Sequence, residues 1–313
     1  MIVVTLRETT PGERRICGGA LSLAFDMMRG LKLILNLFTP LNLRNLRAIL
    51  RHSLLIAGAV LFVLPLVWMI AASLRQPGLP PPRAIELVPN PIVPGNYAQV
   101  FELLPFGRYF LNSLIVVGVA VPLTIVVASW AGFAMSQLPT RSRRGLLVLS
   151  LGLLLVPFSA LWLTRFVLFN AIGLINSHAA LIAPALTGTS PLFVLLFYWT
   201  FRRVPRELFE LARVEGAHAL SIWWRVALPI ARPTAAAVAM LAFVFYWSDF
   251  VSPLLYLKSQ SLYTLPVGVQ QLQQLDRTNW PLLMSGAVMM TLPPVVIFLI
   301  VQRYFLRDAQ WLR

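Results

Sequence analysis

The chain has 313 residues, 58% of them hydrophobic and 12% charged, with a mean hydropathy of +0.76. A soluble domain carries roughly 25% charged residues, so this composition excludes one and places the chain in a bilayer. The net charge of +15 is first a topology signal, because basic residues gather in the cytoplasmic loops of membrane proteins, and it requires no nucleic-acid partner.

Residues 1–51 read as a cytoplasmic N-terminal extension. Leu21 to Phe38 is apolar enough to suggest a span, but Asp26, Arg29 and Lys32 would each cost about 2.5–3.5 kcal/mol at a helix centre, against about 0.3–0.6 returned per apolar residue. Ser22, Asp26, Arg29, Lys32 and Asn36 share one helical stripe, which predicts an amphipathic helix lying in the interface. Arg14 and Arg15 start no export signal, since no uncharged apolar run with a cleavage site follows. The single cysteine, Cys17, excludes an intramolecular disulfide.

Six apolar runs then reach the roughly 20 residues that a hydrocarbon core demands: Ser53 to Leu74, Phe110 to Phe133, Gly145 to Phe169, Ala179 to Phe201, Pro233 to Leu257 and Pro281 to Val301. The expected fold class is therefore all-α, a polytopic membrane bundle of six transmembrane helices. The transmembrane domain covers 52–304 and a short tail covers 305–313. Alternate connections, with the termini, hold 20 of the 26 Lys and Arg, leaving 6 on the other side. Both termini and the Arg202 to Arg232 connection are thus expected to be cytoplasmic. Prolines at 65, 122, 157, 184, 191, 253 and 293 predict kinked spans.

The chain lacks the machinery of an enzyme. Its two lysines, Lys32 and Lys258, follow no phosphate-cradling glycine loop, and His52, His178 and His218 have no partner at metal-ligand spacing. No bound metal or cofactor is expected.

The connection between the fourth and fifth spans is polar and arginine-rich. Pro205 suits a first helical turn, and Glu207 and Glu210 lie near the positive end of the helix dipole. Gly216 can take the left-handed conformation that stops a helix, Ser221 can start a second, and Pro229 with Pro233 breaks the chain before the next span. Two short angled helices are expected, with Leu208, Phe209, Ala212 and Gly216 forming a compact knob able to enter a cleft on a partner. The plainer alternative is an amphipathic linker lying on the headgroups.

Glu210, Leu211, Ala212 and Gly216, then nine residues, then Val226, Ala227, Leu228 and Pro229 resemble the E-A-A-x-x-x-G-x(9)-I-x-L-P signature of ABC-importer permeases, with Leu211 for Ala and Val226 for Ile. Further pieces keep the order of the carbohydrate-type permeases, the smaller subunit of maltose-like importers: Asn96-Tyr97, Arg108-Tyr109-Phe110-x-Asn112-Ser113, Gly173-Leu174-Ile175-Asn176, Thr264-Leu265-Pro266 and Gln302-Arg303-Tyr304-Phe305. The resemblance spans about residues 95 to 305.

What it implies is a type I ABC-importer permease fold in a prokaryotic inner membrane. The implied partners are ABC ATPase subunits, a second permease subunit, an extracytoplasmic solute-binding protein and membrane lipid. ATP and Mg would be bound and hydrolysed on the ATPase, and the substrate would be a carbohydrate or sugar-like solute. By resemblance, Pro205 to Ile222 is the coupling segment, with Glu207, Glu210, Ala212, Arg213, Glu215, Gly216 and Pro229 carrying it. Asp249, the one acid inside an expected span, follows Trp247 and Ser248 where the family has W-N-D-F, and such an acid is costly enough to suggest a role. Asn112, Tyr246, Trp247, Ser248 and Asp249 are the expected path-lining residues, with support of a proline-kinked helix as the alternative for Asp249. The rival class is a secondary transporter using Asp249 as an ion site, but the inverted repeats such folds show are not detectable. A third reading is a membrane scaffold that docks a cytoplasmic partner.

Overall fold

The computed structural model describes residues 43–308 apart from Arg83 and Ile85. The interfacial helix expected over residues 21–38, Cys17 and the last five residues lie outside them. Helix α1 runs Leu43–Ser73 with Pro65 inside it. By internal contacts the chain divides within α1, residues up to Pro65 forming one unit and Leu66 onward another. The first unit contributes the apolar N-terminal part of α1, and everything below concerns the second.

In the second unit α2 (Asn96–Leu103) precedes the long α3 (Phe106–Gln137), α4 (Thr140–Leu154) and α5 (Ala160–Ala171). A short α6 (His178–Ile182) runs through a 3₁₀ turn, Ala183–Thr187, into α7 (Pro191–Arg203). Next come α8 (Arg206–Val214), α9 (Ala219–Ile222), a π-helical turn Trp223–Ala227 and α10 (Leu228–Ile230). The chain finishes with α11 (Arg232–Trp247), α12 (Val251–Tyr256), α13 (Leu265–Leu275) and α14 (Trp280–Asp308). Among the described residues there is no strand.

Helix α3 is the centre of the unit, with α7, α11, α13 and α6 with its 3₁₀ turn packed around it. Gly132 sets its closest approach to α7. A Cβ there would lie 2.7 Å from Phe197 Cβ and 2.8 Å from both Tyr198 N and Val194 O. Lipid offers no hydrophobic drive between helices, so close backbone packing through small residues supplies the association.

The family-like motifs interlock. Ser113 Oγ accepts the Leu265 N–H at 2.8 Å, and Asn112 Nδ2 donates to the Ser261 and Tyr263 carbonyls at 3.0 and 2.9 Å. The Tyr109 ring fills the space over Gly268, where a Cβ would meet it at 2.5 Å. The R-Y-F-x-N-S and T-L-P motifs are thus two halves of one joint between α3 and α13. Asn176, at φ 62, accepts the Lys258 and Ser259 N–H groups, so the G-L-I-N turn is tied to the loop after α12. Asn96 donates to the Ser73 and Arg75 carbonyls, both at 2.7 Å, fixing α2 to the end of α1.

Among the described residues four stretches are long and apolar enough to cross a membrane: Ile49–Ser73, Phe106–Gln137, His178–Arg203 and Trp280–Gln302. The bent pair Ala219–Ile230 and Arg232–Trp247 makes a fifth if taken as one span. Two of the six expected spans are therefore missing from these stretches as single helices, and a third, Ala179 to Phe201, is interrupted by the 3₁₀ turn and residues 188–190. The Gly145 to Phe169 run is divided over residues 155–159, where Pro157 has no N–H to donate and its ring opposes the preceding turn. The Pro233 to Leu257 run stops at Trp247 and resumes at Val251. Pro65, Pro122 and Pro293 lie inside continuous helices, so proline alone does not decide where a span breaks.

Candidate functional site

The segment from Pro205 to Pro229 forms as two short helices separated by a turn over residues 215–218. Pro205 precedes α8, whose first turn holds Glu207. Gly216 takes φ +83, with its N–H bonded to the Arg213 carbonyl and the Ala217 N–H to the Ala212 carbonyl at 2.9 Å. This is the Schellman pattern, which satisfies carbonyls left open at a helix end and requires a left-handed residue. The second helix begins at Ala219 with His218 as its cap, not at Ser221. It continues through the π-helical turn to Ile230 and meets α11 at 83°, the break falling between Pro229 and Pro233.

Phe209 corrects the expected knob. It points inward at 2% exposure, edge-on to Phe133 at 5.5 Å, in a cluster with Phe197, Phe201, Ile222 and Trp223. The helical period explains this. Leu208, Leu211 and Val214 occupy the outer face, 44%, 62% and 86% exposed, while Phe209 and Ala212 turn toward the bundle. Glu207, Glu210, Arg213, Glu215 and Gly216 are all exposed, and Arg213 donates to Gln137 Oε1 at the end of α3 over 2.7 Å. Trp223 Nε1 donates to Ser129 Oγ, and its ring meets Trp130 at 5.2 Å. The segment is thus anchored to α3 at Phe133, Ser129 and Gln137, and it presents an apolar crest edged by charge outside the bundle.

The residues expected along a path divide between two surroundings. Asn112 is buried, its amide donors spent on the α13 approach. Trp247 is 1% exposed, stacked on Phe243 and donating to the Met290 carbonyl at 2.9 Å. Ser248 is exposed and bonds back to the Val244 carbonyl, and half-buried Asp249 accepts the Ser252 N–H at 3.1 Å. Asp249 therefore caps α12 across the break, satisfying one of the N–H groups a helix start leaves open.

Two features near them carry little signal in the sequence. Tyr246 Oη lies 2.8 Å from Thr189 Oγ1, which lies 2.6 Å from Thr124 Oγ1, a buried hydroxyl chain joining α11, the entry to α7 and α3. Thr189 sits at φ 63, and the Gly188 to Pro191 punctuation marks the turn but not its partner. The Arg165 guanidinium lies 4.9 Å over the Phe158 ring.

Comparison with known proteins agrees with this geometry. The profile described as "Binding-protein-dependent transport system inner membrane component" matches residues 97–310. The arabinooligosaccharides transport system permease protein AraQ of Halalkalibacterium halodurans is 32% identical over 251 residues, covering 79% of this chain and 89% of that protein. A chain of a bacterial ABC transporter involved in the import of the acidic polysaccharide alginate superposes with a TM-score of 0.69 at 18% identity, over 84% of this chain and 98% of that one. A chain from a bacterial alginate ABC transporter, in complex with an alginate pentasaccharide-bound periplasmic protein, does so with 0.58 at 14% identity, over 82% and 93%.

Proposed function

This chain belongs to the family of binding-protein-dependent transport system inner membrane components, and on that premise we propose that it is one permease subunit of an ATP-driven importer for a carbohydrate, most simply an oligosaccharide. A separate ABC ATPase docks on α8 and α9, a second permease subunit completes the path, and an extracytoplasmic solute-binding protein delivers the substrate. Both termini and the α8–α10 segment face the cytoplasm of a prokaryote, in keeping with the charge distribution.

The observation that carries this reading is the construction of α8. Its outer face exposes Leu208, Leu211 and Val214 together, outside the bundle, and an apolar patch of that kind beyond the membrane is a mark of a protein partner. Its inner face is fixed to α3 by Phe209 and Arg213. A partner moving the crest would move α3 with it, and the breaks in the spans would let the bundle shift between two packings open to either side. Ser248 and Asp249, at the break between α11 and α12, would meet the passing solute, with Tyr246, Trp247 and Asn112 holding the wall behind them.

Glu210 stands exposed on the charged edge of the crest. Glu210→Ala is expected to lower both ATPase co-purification and uptake while the permease remains in the membrane at its normal level. Normal ATPase retention together with full uptake would remove this segment from coupling.

A further inference from the structure

Two adjoining hollows of about 400 and 340 Å³ lie at the end of the stretch that closes at Arg203, and both are lined by Thr200, Arg203 and Thr234. They form one groove between α7 and the start of α11. Its chemistry changes along its length. Leu196, Thr200 and Arg203 follow one another at four- and three-residue steps on a single face of α7, a rise of about 10 Å at 1.5 Å per residue. Thr234 and Ala237 form the matching stripe on α11.

The polar groups of the groove are Thr200, Arg203 and Thr234, which both hollows share, while Val204, Pro205, Leu208 and Ile230 complete the outer one. Arg203 is exposed, and its guanidinium is the one charged group lining either hollow. Among the described residues the ion pair found is Arg75 with Glu86, so no carboxylate of the described chain neutralises Arg203. The Thr200 and Thr234 hydroxyls meet at 2.7 Å beside it. Arg202, Arg206 and Arg232, close in sequence to the groove, are also exposed, as is Glu207. Inward, the walls become Leu196, Trp199 and Ala237, with Trp199 exposed near the end of α7, and indole rings gather at span ends.

A cation at the end of a span, with an apolar channel running about 10 Å from it, matches a phosphate headgroup followed by the upper part of an acyl chain. A soluble anion would use the first half and leave the second uncovered. We infer that this groove is a binding site for one anionic phospholipid, its phosphate on Arg203 and an acyl chain along Leu196, Trp199 and Ala237. Pro205 and Leu208, at the root of α8, wall the headgroup end. A seated lipid therefore props α8 against the bundle, and the anionic lipid content of the membrane sets how firmly the crest is held. The site depends on the position of Arg203 at a span end and not on which solute is carried.

The test is native mass spectrometry of the full-length chain, purified with the subunits that accompany it, after exchange into micelles doped with phosphatidylglycerol or phosphatidylcholine. Phosphatidylglycerol should be retained, with occupancy falling about fivefold in Arg203→Ala, the fold-change one basic residue contributes at an anionic surface. Arg203→Lys should keep most of it. Ala237→Trp, which fills the apolar channel and leaves the charge in place, should lose it as well, so the result does not hang on one variant. Equal retention of the two lipids, or wild-type retention in both Arg203→Ala and Ala237→Trp, overturns the site. Displacement by inorganic phosphate alone would make the groove an anion site, and loss of the lipid whenever the ATPase is bound would make it part of the ATPase interface; either result overturns the proposal.

Discussion

The Phe209 ring stands edge-on to Phe133, centroids 5.5 Å and planes 76° apart, so the exposed helix α8 and the central helix α3 share one buried joint. Removing a buried phenylalanine costs about 3–5 kcal/mol. Phe209→Ala should loosen α8 without unseating α3, whose other contacts lie along its whole length. The expected outcome is normal membrane insertion with uptake reduced by at least tenfold, while Phe209→Leu keeps most of it. Equal uptake in wild type and Phe209→Ala would mean that the joint transmits nothing.

Gly216 has open space around the position of a Cβ, so its constraint lies in its φ of +83 and not in crowding. A β-branched residue there would pay about 1–2 kcal/mol, whereas asparagine tolerates the left-handed region. Uptake should fall in Gly216→Val and stay near wild type in Gly216→Asn. If both variants behave alike, the turn geometry is not what matters at this position.

Asp249 accepts the Ser252 N–H, a bond that the Oδ1 of asparagine can also accept. Asp249→Asn should assemble normally but import more slowly, because it keeps the cap and removes the charge. Asp249→Ala should in addition lose about 1 kcal/mol of helix-start stabilisation, read as a lower thermal midpoint of the purified complex. Wild-type uptake in Asp249→Asn would confine this residue to capping.

Ser142, beside Arg141, Arg143 and Arg144, and Gln76, after α1, are both exposed, and on the proposed topology they face opposite sides of the membrane. A membrane-impermeant thiol reagent applied to spheroplasts should modify Gln76→Cys and spare Ser142→Cys. The reverse pattern would invert the topology.

Much of the site was legible because it is local. Pro205, Glu207, Gly216 and Pro229 act on their own backbone within a turn, so a helix, its left-handed stop and a second helix follow from residue type and spacing. The inward turn of Phe209 was not legible in that way. On α8 Leu208, Phe209 and Leu211 are all apolar, and which of them is buried depends on where Phe133, Phe197 and Phe201 stand in other helices. The span breaks divide along similar lines, since Pro122 and Pro293 sit within unbroken helices while Pro157 lies at a break.

Composition and charge determined that this chain lives in a membrane as a helical bundle, because the cost of burying charge in hydrocarbon acts on every residue wherever it later packs. The order and spacing of its short motifs pointed to the family, because they are read along the chain without regard to how the helices pack. Tertiary structure alone decided that Ser113 would hold Leu265, that Tyr246 would reach Thr189, and that Thr200 would meet Thr234 beside Arg203. These pairings join residues 34 to 152 positions apart in sequence, and only the packing of one helix on another brings such groups to hydrogen-bonding distance.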